Sequence, residues 1–502
     1  MCKILPVLAL LLTVSAARAD SLAEIKSGSF TIQVAARTEA NFVYHLDCIA
    51  RVIGCTFEIY QRLWFNELGL DEDDDRLVRE WGKLRGAVRQ VSQSVDRTIS
   101  SKAGVPLRDS RDDTAWNRLQ WAEFQAAGTD DLNAVWFDAL PPETATRLSE
   151  IAKHLRPRFD GWWNIHQSEL IAFVPGIEAA MRKGRAGEIL GAGARFYRSE
   201  LGDRRVYLHL FLQPKQARPN TRAHRIGAHM TVEVVPGERP EDRVDVIAHE
   251  IAHHVFACMR PTRKAELVDA LFASGAAGVS AWNLFDEVQA TVIGNVLVAR
   301  NALTADEFKR VWDRPRSLYA DDAIDLGARA TYTLFERAFA RRAPMRRGFA
   351  TEFVAALRAG LGKRMDSPAI HLRTMIVNVD DENSQWPAKL RRVVNASSVW
   401  TISELGGARV AERLNRYPGV GAVAFARPDQ ITQLARASTS FGVTADALQG
   451  AIGSARGVVV ASPRSRPAYA FVFIAQDDEA MEALIAAFPA CRLKPGVCMQ
   501  IN

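Results

Sequence analysis

The chain has 502 residues, 48% of them hydrophobic and 24% charged, with a formal net charge of +6 at pH 7. That length and apolar content support a full core and two or more domains. After the N-terminus no apolar run reaches about 20 residues, so no membrane-spanning helix is expected in the body, and the scattered positive charges come with no nucleic-acid motif.

The first 19 residues carry a basic residue at Lys3, a short apolar run and an Ala17-Arg18-Ala19 end. This is the pattern of a secretory signal peptide cut after Ala19, which places the mature protein in the periplasm or outside the cell. Cysteine usage agrees. With Cys2 removed, Cys48 and Cys55 form one closely spaced pair and Cys491 and Cys498 another, spacings that suit short-loop disulfides in an oxidising compartment. Cys258 is the odd one and is read as a buried apolar thiol.

Residues 30–34 read as a strand. From residue 41 to about 193 the pattern is mostly helical, and this region, residues 20–200, could wall one side of a cleft. Asp71-Glu-Asp-Asp-Asp75 invites a calcium loop, but Arg76 stands where Gly is needed and Gly82 where Glu is needed. Acids in the first turn of a helix explain it better. Trp116, Trp121, Trp136, Trp162 and Trp163 are read as packing residues. Two strand-like runs follow, 207–212 and 229–235. In the second, Met230, Val232 and Val234 share one face and His229, Thr231 and Glu233 the other. Pro236 to Pro240 break the chain, and Pro240-Glu-Asp242 makes a helix start.

The helix that follows holds His249-Glu-Ile-Ala-His253, an H-E-x-x-H. Positions i and i+4 lie one above the other on a helix, so both imidazoles can face one ion. Glu250 sits one step round, within reach of a water on that ion but poorly placed to bind it. In a chain with 10 histidines a chance H-E-x-x-H has odds of roughly one in a hundred. Its neighbours Val244, Val246, Ile247, Ala248, Ile251, Ala252, Val255 and Phe256 mark a buried helix, in which unpartnered imidazoles and a carboxylate would cost several kcal/mol. His254 points about 100° away from His253 and cannot share its ligand face.

This stretch resembles the zinc helix of the zincin metallopeptidases. The metzincin continuation is excluded, because Phe256 and Met259 occupy its Gly and His positions. The gluzincin (thermolysin-like) branch takes a third ligand from a Glu on a downstream helix, and Glu287-Val-Gln-Ala290, inside an apolar helical run, resembles that segment. The resemblance therefore implies Zn2+ held by His249, His253 and Glu287, with Asp286, Glu266 and Asp269 as other carboxylates open for the third place. Many relatives carry Asp four residues after the Glu to support a ligand histidine; here that residue is Thr291. The resemblance also implies Glu250 as general base, strand 229–235 as the cleft-lining edge strand that pairs with an extended substrate (an interior strand being the open alternative), and an oxyanion donor among Tyr319, Tyr332 and His229.

Beyond the motif, residues 263–274, 282–303 and much of 304–361 read as helices. From about residue 373 short β-rich runs alternate with helices, with a hairpin connection at 462–467. The expectation is an α+β fold, mainly α: a signal peptide at 1–19, a helical N-terminal region at 20–200, a zincin-like catalytic core at 201–365 and a C-terminal α/β domain at 366–502. The expected function is that of a secreted zinc metallopeptidase acting on peptide or protein substrates. A non-catalytic zinc-containing envelope protein that binds a partner, or a metal-dependent amidase, would use the same ligands.

Overall fold

The computed structural model describes residues 21–27, 30–94, 114–201, 205–215, 222–367, 372–381, 384–394, 396–416, 421–435, 437–463 and 469–502. The signal-peptide reading lies outside the described residues. The fold is α+β, mainly α, with two mixed sheets.

The first sheet contains β1 (Ser21–Ser27), β2 (Phe30–Ala36), β3 (Arg205–Leu212), β4 (Ala223–Ile226) and β5 (His229–Val234), in the order β1-β2-β3-β5-β4. Strands β2, β3 and β5 run parallel, and β1 and β4 are antiparallel edges. Parallel strands are covered on both faces, which is why β3 and β5 are buried almost throughout. Strand β5 is thus an interior strand, not the edge expected at 229–235. The edge on that side is β4, a four-residue strand that the sequence pattern does not reveal. It turns into β5 through Gly227 and Ala228, with Gly227 at φ 64°, a conformation that favours glycine at the first position of a two-residue hairpin loop.

One face of β5 packs its Met230, Val232 and Val234 into the main core. Opposite them lie His229, Thr231 and Glu233, covered by the N-terminal helices. Glu233 is fully buried and accepts hydrogen bonds from Tyr44 Oη (3.1 Å), Thr56 Oγ1 (2.6 Å), Gln213 Nε2 (3.1 Å) and the Arg222 amide (2.8 Å). Deeper in the helical region Arg85 is wholly buried between Asp47 and Glu123, which also accept the indole N–H groups of Trp81 and Trp136. Burying three charges is tolerable only because each is hydrogen-bonded in this way. Trp116, Trp136, Trp162 and Trp163 are buried, in keeping with packing roles. The acidic run at Asp71 opens the helix Glu72–Ser94 with acids in its first turn.

The expected boundary near residue 200 does not separate two cores. One hydrophobic core runs from Ile25 to Met365, and its sheet draws strands from both sides of that boundary. The C-terminal region does have its own sheet, of β6 (Leu372–Val379), β7 (Ala396–Ser403), β8 (Gly421–Ala426), β9 (Gly457–Pro463), β10 (Tyr469–Ala475) and β11 (Gly496–Ile501), in the order β11-β9-β10-β8-β6-β7. Alternate residues such as Val423 and Phe425 or Ala422 and Ala424 feed separate cores on its two faces. Strands β9 and β10 pair antiparallel, as the hairpin reading requires, although residues 464–468 lie outside the described residues. Both expected disulfides are present, Cys48–Cys55 with Cα atoms 5.8 Å apart and Cys491–Cys498 with 5.3 Å.

Candidate metal centre

The H-E-x-x-H lies on the helix Val244–Ala257, entered through the short turn Pro240–Asp242. Ile247, Ala248, Ile251, Ala252 and Val255 are completely buried and fix which face remains for the histidines. His249 Nε2 and His253 Nε2 come within 3.0 Å of each other. The helix Ala276–Thr291 delivers Glu287, whose Oε2 lies 3.5 Å from each Nε2. His249, His253 and Glu287 therefore form a group able to hold a metal ion.

Three observations bear on whether a cation suits them. First, the outer nitrogen of each ring is committed. His249 Nδ1 is 3.0 Å from Asn295 Oδ1, and His253 Nδ1 is 2.8 Å from Asp286 Oδ1. Both contacts need an N–H at Nδ1, so each neutral ring turns the lone pair of Nε2 inward. Second, Glu287 Oε2 is buried without a hydrogen-bond partner, which is costly for a carboxylate oxygen. Third, two lone pairs and an anionic oxygen converging at these distances repel unless a positive charge lies among them.

The electrostatics carry the same message. Burial alone would depress the pKa of His253, but the Asp286 and Glu287 carboxylates outweigh it and hold the imidazole well above its ordinary value. Burial would raise Glu287, yet the facing histidines hold it well below the carboxylate range. The two carboxylates thus favour positive charge at His253, whether a proton on the ring or a cation beside it.

Asp286, one of the alternatives for third ligand, instead faces His253 Nδ1. Gln289 lies behind it, with Nε2 3.5 Å from Asp286 Oδ1 and Oε1 3.2 Å from Tyr197 Oη. Glu266 is an exposed partner of Arg263. Thr291 does not take the supporting role; Asn295, four residues further on, does. Asn295 Nδ2 donates to Asp245 Oδ2 at 2.9 Å, and Asp245 Oδ1 accepts the Val246 amide at 2.7 Å. The sequence signal for this residue is a lone asparagine in the apolar run Val292-Ile-Gly-Asn-Val-Leu-Val298.

Glu250 is half-buried beside the group. Of the oxyanion candidates, Tyr319 is at the site: its ring stacks on His249 with centroids 5.7 Å apart. Burial, then the charges of Glu287 and Glu250, raise its pKa, so the hydroxyl stays protonated. Tyr332 packs edge-on against Trp312, centroids 5.0 Å apart, and is not brought to the site. His229 is likewise committed elsewhere, with Nδ1 2.9 Å from His209 Nε2 and its ring between Trp121 and Tyr207. His254 turns away from the group and lies against Cys258, whose Sγ is 3.8 Å from its ring nitrogens; the thiol is half-buried beside that polar ring, not enclosed in an apolar pocket. No family model, no curated protein and no solved structure matches this chain.

Proposed function

We propose that the protein is a secreted zinc-dependent metallopeptidase of gluzincin type, in which His249, His253 and Glu287 hold the metal and Glu250 is the general base. The observation that carries this is the convergence of two oriented Nε2 atoms and the orphaned Glu287 Oε2. Four-coordinate zinc with bonds of about 2.0–2.2 Å separates its ligand atoms by about 3.3–3.6 Å, close to the 3.0, 3.5 and 3.5 Å found here. A set of two imidazoles and one carboxylate also suits a catalytic site, which keeps a coordination position open.

Bound there, zinc would supply Lewis acidity, lowering the pKa of a water and polarising the scissile carbonyl. Glu250 would serve as the base that takes a proton from the attacking water and returns it to the leaving amine. The Tyr319 hydroxyl donates a hydrogen bond to the oxygen that gains charge. Asn295 and Asp286 hold the imidazoles in the ligating tautomer. Two disulfides suit an oxidising compartment and, with the signal-peptide pattern of residues 1–19, support a place in the periplasm or outside the cell.

The test is a Glu250→Gln variant assayed on casein, peptidoglycan fragments and small amides. It should keep its zinc and lose hydrolysis of whichever substrate the parent cleaves. Parent-level turnover by the variant rejects the mechanism; cleavage confined to small amides moves the reading to an amidase. Tight zinc binding with no hydrolysis by the parent favours the non-catalytic binding protein.

A further inference from the structure

We propose that Asn295 and Asp245 form a two-residue relay that positions His249, and that a π-turn in the carboxylate helix exists to deliver it; this rests on the metal centre proposed above. Asn295 is eight residues past Glu287. In a continuous α-helix that spacing leaves the two side chains about 80° apart. After Thr291, however, the helix continues as a π-helix, Val292–Val298. Its i→i+5 pattern spreads about one more residue over each turn, which rotates Asn295 back toward the Glu287 side. The same helix thus supplies a ligand and, two turns later, the group that orients another ligand.

Close approach is built in beside it. A Cβ on Gly294 would lie 2.3 Å from the Asp245 carbonyl oxygen and 2.5 Å from the His249 amide nitrogen, so only glycine lets the π-turn press against the histidine helix at this point. Asn295 then bridges the two helices. Its Nδ2 donates to Asp245 and its Oδ1 receives the N–H of His249 Nδ1. Asp245 fixes which way the amide points. With the amide reversed, two N–H donors would face each other at His249 and two acceptors at Asp245.

A histidine ligand usually hands its outer N–H to a carboxylate or a carbonyl. Here the two ligands differ: His253 has the charged Asp286, while His249 has a neutral amide with a carboxylate one step further out. Thr291 supports neither ring; Asp286 supports His253 and Asn295 supports His249.

Zinc affinity, measured by chelator competition on the full chain, tests the relay against three variants. Asn295→Ala and Asp245→Ala should each weaken zinc binding about 10- to 100-fold. The double variant should bind zinc no more than about threefold more weakly than Asn295→Ala alone, because a relay acts as one unit. Exchanging the pair, Asp245→Asn with Asn295→Asp, reverses donor and acceptor but still presents an oxygen to His249, and should recover affinity to within about fivefold of the parent. The melting temperature of the metal-free protein is read alongside, since a merely structural role would lower it in proportion. Additive losses, or an exchanged pair more than about fivefold weaker than the parent, overturn the relay. If Asn295→Ala does not fold, the exchanged pair still decides. A parent that binds no zinc overturns the metal centre itself, whereas a parent that binds it as tightly as Asn295→Ala overturns only this inference.

Discussion

Tyr319 illustrates how position and protonation state together give a residue its chemistry. Its ring lies on His249, and burial and nearby carboxylates keep its hydroxyl a donor across the neutral range. Removing such a donor costs about 100- to 1,000-fold in turnover when it faces the developing charge. Tyr319→Phe should therefore lower kcat by that order with zinc content unchanged, while Tyr332→Phe, in the Trp312 contact, should turn over at the parent rate. A Tyr319→Phe enzyme with parent kcat would move the donor elsewhere. Sequence reasoning could place both tyrosines in the right stretch but could not separate them, because whether a side chain reaches the histidines depends on how the segment after residue 313 folds back. His249, His253 and Glu287 were legible, since the i, i+4 rule acts within one helix and the Glu lies on a strongly apolar partner. Asn295 was not, because its contribution depends on a π-turn that periodicity alone does not reveal.

At the scale of elements, the site depends on the crossing of two buried helices. The crossing is tight enough at Gly294 that a methyl group has no room beside Asp245 and His249. Gly294→Ala should therefore destabilise the fold by about 1–3 kcal/mol or more and weaken zinc binding as well, since it pushes apart the two helices that carry the ligands. Unfolding in urea and a zinc titration of the same variant check both; parent values in each would show that the crossing yields easily. The long buried helices and the C-terminal alternation of strands and helices were readable from the chain. The four-residue strand β4 was not, because so short a run carries little periodicity, and without it the sequence leaves β5 open as edge or interior strand.

Across the whole molecule, the N-terminal helices, the first sheet and the metal-centre helices share a single core. His45, at the centre of that core, is neutral. Its Nε2 lies 3.3 Å from the Leu212 carbonyl oxygen and its Nδ1 accepts the Trp64 indole N–H at 3.2 Å, which leaves no place for a second proton. Burial lowers its pKa from 6.5 to about 3, against a small raising contribution from the Leu212 carbonyl. The unfolded chain therefore binds a proton below about pH 6.5 that the folded chain refuses, and the stability His45 contributes is present above that pH and is lost as pH falls. Each pH unit in this window costs about 1.4 kcal/mol per such group. Between pH 6 and pH 4, the parent should lose stability to urea more steeply than His45→Gln, which can donate and accept without titrating. Equal slopes would mean that His45 is not the acid-sensitive group. Burial of this kind was beyond the sequence, in which His45 is one histidine within a helical run.

The most direct check is the zinc content of protein purified without added metal and dialysed against a weak chelator. The parent should hold about one zinc per chain and Glu287→Ala close to none. A parent free of zinc, or Glu287→Ala with undiminished occupancy, would contradict a centre built from His249, His253 and Glu287.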